Sequence, residues 1–479
     1  DDDAAVLGLH FLLAGQYQDA WHYSATAGHQ AARKHANVTA TRLFQRAMEA
    51  SRSAGVEPIE VASIAEALGN VAEPAGLLED AEEAFRHASR LRKDDPVGRS
   101  RLFRKLGLLR ERAGLYPQAL RWFSRGLNSL AEMPDDDQVT LQRAELEIAY
   151  AGVRFRQARY GEAIKWCRLA LPGAEATGDW QALAHGYYLL SLSRQRSGDK
   201  AKGGDSERAL SIYEELGELV GQAKVLNKLG VDAYYRGDWN EALEFYRRGK
   251  AAWEGAGDSV RAAMTSSNIA LVLSDQGRLH EAEEAFRDAL REFRAAHDRW
   301  LVAVTTSNLG RIATRASRFE DGLEQLEWAV AELRDIGAEH FAIDAESRVA
   351  ENRILAGDIE NGVELAEQLL EKLTSPDDER HRLLHRLRAS AAFATGNVTY
   401  ARSELERGLE DARNKGNDFE VALYLDTLSC VCGGEVDESY QTEAAGIFSK
   451  LDVVSVPERM VCGFNIEVDM DGARPVPVS

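Results

Sequence analysis

His381 and His385 stand four residues apart, a spacing that on a helix brings two imidazoles to one face, where they could share a metal ion. A zinc protease of that pattern needs glutamate directly after the first histidine, and Arg382 occupies the place. Two ligands alone make a poor site, so the pair reads as packed or solvated. The thiols of Cys430-Val431-Cys432 could also bind metal, but no second cysteine or histidine pair follows at zinc spacing, and a buried helix position accounts for them. Gly198-Asp199-Lys200-Ala201-Lys202-Gly203-Gly204 is rich in glycine yet lacks the spacing of a phosphate loop, and reads as a long turn. Asp80 with Glu82 and Glu83, and Asp135 to Asp137, could supply a general acid and base, but they suit helix starts and solvated surface better. A hydrolase with a dispersed site on a helical scaffold therefore rests on no positive feature. The expectation is a protein that is not an enzyme, with no cofactor and no metal.

What positions these residues is a repeat. Gly178, Gly217, Gly257, Gly337 and Gly416 fall one or two periods of about 40 residues apart, and Gly198, Gly237, Gly277, Gly357 and Gly396 sit half a period out of step. Punctuation twice per repeat marks a stack of helical hairpins, so recognition or scaffolding is the function to look for. The 479 residues would by length alone suggest about three compact domains, but a solenoid grows by adding neighbours. An apolar share of 44%, a charged share of 28% and only 10 prolines suit an almost wholly helical chain.

The formal charge of −20 argues against a general nucleic-acid surface. No apolar run of about 18 residues is present to cross a membrane, and the N-terminus does not resemble a signal peptide, so a cytoplasmic protein is expected. Cys167, Cys430, Cys432 and Cys462 fit reduced thiols. The chain starts at Asp1 without methionine, as expected of a processed product or a piece of something larger.

One repeat, from Gly217 to Gly257, shows the construction. Its first helix carries Val225, Leu226, Leu229, Val231 and Tyr234, its second Ala242, Leu243, Phe245, Tyr246 and Trp253, with apolar residues recurring at three and four. At Gly237-Asp238 the glycine can take the left-handed conformation that ends one helix, and the polar residue after it can cap the next. Small residues recur where helices press together: Gly230, Ala270 and Gly310 in the first helices, Ala242, Ala282, Gly322 and Gly362 in the second.

These residues resemble the tetratricopeptide repeat, whose second helix starts small-Gly-x-aromatic-x-x-Ala. Ala14-Gly15-Gln16-Tyr17-Gln18-Asp19-Ala20, Ala113-Gly114-Leu115-Tyr116-Pro117-Gln118-Ala119 and Arg236-Gly237-Asp238-Trp239-Asn240-Glu241-Ala242 carry the pattern. Weaker copies start at Gly76, Arg159, Gly277, Arg318 and Gly396. The resemblance implies an all-α, right-handed α-solenoid of about 11 or 12 hairpins ending near Leu451. Residues 1–55 would lead into the array, 56–457 would form the superhelix, and 458–479 a short extended tail.

The two ends resemble something narrower. Trp21-His22-Tyr23, His35-Ala36-Asn37 and Leu43-Phe44-Gln45-Arg46-Ala47, with Ile447-Phe448-Ser449-Lys450-Leu451 at the close, look like the C-terminal region of bacterial STAND-type signalling ATPases, some joined to class III cyclases. That resemblance implies a sensor and regulatory part of a larger signal-transduction protein, acting on an ATPase or output module in cis. A free-standing adaptor bridging two partners is the alternative.

In the family, the first helix of each hairpin lines an inner groove that holds an extended peptide or a partner's helix. Alignment on the glycines puts Asn227, Tyr234, Asn268, Asn308, Arg311, Arg348 and Arg386 on or beside that lining, with Ser267, Ser307, Ser347 and Phe393 near them. Asparagine can bond a peptide backbone both ways and arginine can grip a carboxylate, so the expected partner is a protein or extended peptide of acidic character, with no nucleic acid and no membrane. The competing reading has the asparagines bracing neighbouring helices. After Pro457, Val461 to Met470 alternates like a lone strand ended by Pro475 and Pro477, expected to dock on the last hairpin.

Overall fold

The computed structural model describes residues 3–199, 204–373, 380–431 and 438–456, and the backbone of 466–467 and 476–477. Its contacts divide the chain into two units, Asp1–Gly217 and Glu218–Ser479. Unit 1 holds α1 (Ala4–Leu13), α2 (Tyr17–Arg33), α3 (Asn37–Ala54), α4 (Pro58–Ala72), α5 (Leu78–Leu91), α6 (Pro96–Arg112), α7 (Tyr116–Ser129), α8 (Asp137–Arg156), α9 (Tyr160–Ala176), α10 (Trp180–Ser197) and α11 (Asp205–Glu215). Unit 2 holds α12 (Leu219–Arg236), α13 (Trp239–Gly255), α14 (Ser259–Asp275), α15 (Leu279–Ala295), α16 (Arg299–Arg315), α17 (Phe319–Asp335), α18 (Glu339–Leu355), α19 (Ile359–Lys372), α20 (Arg380–Ala394), α21 (Val398–Lys415), α22 (Asp418–Val431) and α23 (Glu438–Lys450). In both units each helix packs chiefly on its neighbours in sequence, the pattern of an all-α solenoid.

Several hairpins bury the same kind of contact. A small residue in the first helix faces a large one in the second: a Cβ on Gly107 would stand 2.1 Å from the Phe123 ring, and one on Gly230 would stand 2.5 Å from Tyr246. Ala270 and Ala282 are fully buried, as the close approach requires.

The glycine ladders mark left-handed helix ends, from Gly178 (φ 69°) to Gly416 (φ 67°). Their missing rungs are filled by other residues in the same conformation, His297 (φ 54°) and Ser317 (φ 59°). Where one hairpin passes to the next, Asp179, Asp258 and Asp298 cap the new helix by accepting the backbone N–H three residues on. Inside the hairpin the expected cap at Asp238 is not made. Its carboxylate instead accepts from Nε of Arg236 at 2.9 Å, and the Trp239 indole N–H donates back to the Tyr234 carbonyl in the last turn of α12 at 3.1 Å.

Unit 2 closes on itself. Past α23 the chain runs along the turn between α14 and α15: Val454 N donates to the Gln276 carbonyl at 2.9 Å, Gln276 Nε2 to the Leu451 carbonyl at 3.2 Å, and Ser455 Oγ to the Gly277 carbonyl at 3.1 Å. Leu451, 1% exposed, shares one apolar cluster with Ala233, Trp239, Leu243 and Phe286. Trp239 meets Phe419 edge-on at 5.0 Å, and Asn240 Nδ2 reaches Asp452 at 2.8 Å. The segment before the tail thus sits on the first hairpins of unit 2. Of the tail itself, Ile466–Glu467 pairs antiparallel with Val476–Pro477, so the strand expected there has a partner within the tail. Its docking on the last hairpin falls outside the described residues.

Candidate functional site

The inner faces of the first helices of unit 2 surround a cavity of about 720 Å³. α12 contributes Tyr234 and Tyr235, α14 Asn268 and Asp275, α16 Arg311, α18 Asp344 and Arg348, α20 Arg380, Arg382 and Arg386, and α22 Asp418 and Glu420. These positions recur because a straight helix returns the same face every three or four residues, and because the 40-residue repeat returns the same face in the next hairpin.

Asp275 organises one wall. Its carboxylate accepts the Tyr234 hydroxyl at 2.8 Å, Nη2 of Arg311 at 3.4 Å and Nη1 of Arg315 at 3.1 Å. The Arg315 side chain is wholly buried, and the same nitrogen also donates to Ser274 Oγ at 2.7 Å and the Ser274 carbonyl at 3.0 Å. Burial, and next the neighbouring Asp275, push the Tyr234 phenol well above its ordinary value, so it remains a donor. The opposite wall is also ordered: Arg348 pairs with the buried Glu351 at 3.2 Å, Arg386 lies 3.7 Å from Glu420 and 6.0 Å from the Tyr424 ring centre, and Arg380 donates to the His340 carbonyl at 2.8 Å. Six cations (Arg311, Arg348, Arg380, Arg382, Arg386, Lys415) face the cavity against four carboxylates (Asp275, Asp344, Asp418, Glu420), so its field is locally positive inside an acidic chain.

Of the residues expected at the groove, Tyr234, Asn268, Arg311, Arg348 and Arg386 line this cavity. Asn227 stands beside it, accepting from Asn268 Nδ2 at 2.8 Å and so bracing α14 against α12. Asn308 is half-buried on α16, outside the lining. Sequence reasoning passed over Asp275, Arg315, Arg380 and Arg382. The signal for the first two was partly present: one repeat forward from Tyr234 lands on Ser274, beside Asp275, and one repeat forward from Asp275 lands on Arg315, which donates to it.

The histidine pair stacks at 6.0 Å between ring centres, and His385 Nδ1 lies 3.2 Å from Glu404. Burial lowers the His385 pKa against the raising pull of Glu404. Among the described residues no cluster of three or more histidines, cysteines or carboxylates could hold a metal, and no helix is long and apolar enough to cross a membrane. Burial pushes the Cys167 thiol up to about 12, which leaves it inert, and Cys430 packs against the last apolar cluster, whereas Cys432 falls outside the described residues. The acidic pairs are structural: Asp136 caps α8 through Val139 N at 2.8 Å, and Glu82 pairs with Arg86 and Arg110.

Residues 223–254 and 261–334 each match a model of the tetratricopeptide repeat. No curated protein matches the sequence. Among solved structures, the chain is similar to the apo form of the quorum sensor NprR from B. thuringiensis, at 15% identity and TM-score 0.51 over 75% of this chain and 99% of that one. It is also similar to apo RapI, at 16% identity and TM-score 0.44 over 57% and 98% of the two chains. A third is a signal transduction ATPase with numerous domains and a tetratricopeptide repeat sensor from Pyrococcus horikoshii, at 13% identity and TM-score 0.36 over 80% and 54%. At these identities the likeness is one of fold, and NprR carries it. Unit 2 thus carries tetratricopeptide repeats over residues 223–254 and 261–334, and stacked helical hairpins make each unit an all-α solenoid.

Proposed function

We propose that the chain is a non-catalytic scaffold that binds an extended, acidic segment of a partner protein in the cavity of unit 2, through Tyr234, Asn268, Arg311, Arg348 and Arg386, with Asn227 and Asn308 holding the lining helices in place. The observation that carries this reading is the excess of guanidinium groups around one 720 Å³ space, four of which, Arg311, Arg348, Arg380 and Arg386, are anchored before a ligand arrives. Anchored arginines favour carboxylates, and the Asn268 amide can pair with a peptide backbone. In the wider reading, the region is the sensor and regulatory part of a signal-transduction ATPase. The resemblance of the residues at both ends supports that reading, and a phosphate loop encoded upstream of Asp1 is its test.

A photocrosslinking amino acid placed at Tyr235, which is 60% exposed and faces the cavity, tests the site against one placed at Trp328, 45% exposed on α17. In the native cell, a partner captured at position 235 and not at 328, and lost from 235 on Arg348→Gln, is the expected result. Equal capture at both positions, or capture at 328 alone, moves the site off the cavity.

A further inference from the structure

A second, smaller cavity of about 460 Å³ lies in unit 1, between the second helices α5 and α7 and floored by α6. Its wall is built from Arg86, Ser89 and Arg90 of α5, Lys93 just beyond it, Arg99 and Phe103 of α6, and Trp122 and Arg125 of α7. Five of the eight are cations and none is acidic, in a chain of formal charge −20. The helical spacings i, i+3 and i, i+4 put each helix's contribution on the face that meets the space.

The aromatic rings hold three of the five cations, Arg86, Arg99 and Arg125, in place. Phe103 and Trp122 stack at 5.5 Å, the Arg125 guanidinium lies 4.7 Å and Arg86 5.8 Å from the Trp122 ring centre, and Arg99 lies 5.5 Å from that of Phe103. Among the described residues only Arg86 of the five is ion-paired, to Glu82 at 2.6 Å. Arg90, Lys93, Arg99 and Arg125 have no carboxylate partner there, and Nε of Arg99 is buried without a hydrogen-bond acceptor. The nearby Asp95 is spent on Arg92 and the Gly98 amide. Four like charges kept together without an acid repel one another, and each guanidinium offers paired N–H donors of the kind that phosphate oxygens accept. At about 460 Å³ the space is of small-ligand size.

We propose that this cavity binds a small molecule carrying two or more phosphate groups, with Arg90, Arg99 and Arg125 as its main contacts. The site lies in unit 1 and does not depend on the partner-binding reading of the cavity in unit 2.

The test is titration of the whole chain with inorganic tripolyphosphate at fixed ionic strength, read by calorimetry and by tryptophan emission. Saturable one-site binding is expected, weakened at least tenfold in Arg90→Gln and in Arg125→Gln and unchanged in Arg291→Gln, whose exposed side chain pairs with Asp288 at 2.7 Å on α15. Trp122→Phe should keep the heat of binding and lose the emission change. Circular dichroism checks that each variant folds. Absence of saturable binding, equal binding by the arginine variants, or tighter binding of a glutamate-rich peptide than of tripolyphosphate overturns the proposal.

Discussion

The Tyr234 hydroxyl donates to Asp275 at 2.8 Å across 41 residues of sequence, from the last turn of α12 to the last turn of α14. Asp275 then accepts from Arg315, the equivalent position one hairpin further on. A repeat thus carries different side chains at one structural address, and they form a polar rail along the inner helices. Asp275→Asn removes a carboxylate to which the buried Arg315 guanidinium donates and should cost about 3–5 kcal/mol, whereas Tyr234→Phe should cost about 1 kcal/mol. Urea midpoints of the two variants measure the difference, and equal losses would mean that the carboxylate serves the tyrosine alone.

Gly277 and Gly257 share a backbone conformation, with φ of 77° and 76°, but differ in what surrounds them. A Cβ on Gly257 meets nothing within 4 Å, whereas one on Gly277 would stand 2.2 Å from the Ser455 carbonyl oxygen. Both alanine variants should lose about 1 kcal/mol to the strained φ. Only Gly277→Ala should also release the closing segment, which hydrogen exchange at the Val454 amide reads directly. Equal exchange in both variants would show that the segment is not held there.

His297 and Ser317 are exposed residues in the left-handed region. Glycine relieves the clash of Cβ with the following carbonyl at some cost in chain entropy, so His297→Gly and Ser317→Gly should each raise stability by about 0.5–1 kcal/mol, adding in the double variant. Thermal melts check this, and a fall in either would mean that the side chain contributes more than its strain costs.

Glu66 in unit 1 is held by Arg101 through two hydrogen bonds, at 2.9 and 3.0 Å, and by Lys105 at 2.7 Å. Burial alone would raise its pKa, but the hydrogen bonds from Arg101 and Lys105 prevail and bring it to about 2. Lys105 itself is pulled down by its own burial and Arg101 is held up, which makes the bidentate arginine the firmer partner. A depressed carboxyl stabilises the fold above its unfolded value of 4.5, and that contribution is lost as pH falls from 4.5 towards 2. Glu66→Gln should flatten the dependence over that window. An unchanged acid limb of the stability profile would assign it to other carboxylates.

The hairpins were legible because glycine and small residues must recur wherever the backbone turns left-handed or helices touch, and Gly237 and Ala282 announce both needs locally. His297 and Ser317 were not, since a strained residue leaves no mark on a one-letter sequence when the surrounding turn imposes its conformation. On the inner wall Tyr234, Arg311 and Arg348 could be found by counting repeats. Arg380 and Arg382 could not, because they sit in the first turn of α20, ahead of the position at which the count of repeats places Arg386. The basic cavity of unit 1 was missed for another reason: Arg90, Arg99 and Arg125 come from three helices, and a search for motifs along the chain does not sum charge between them.

The bond from Val454 to Gln276 also bears on timing. An open stack can mature hairpin by hairpin as it leaves the ribosome, each repeat needing only its predecessor. Unit 2 starts at Glu218, yet its first hairpins receive Leu451, Val453 and Ser455 only when the last repeat has been made. At ordinary rates of synthesis that leaves Trp239 and Gln276 waiting for roughly 10–50 s. During that interval a nascent chain presents an apolar edge that the finished protein conceals, the kind of surface to which a chaperone binds.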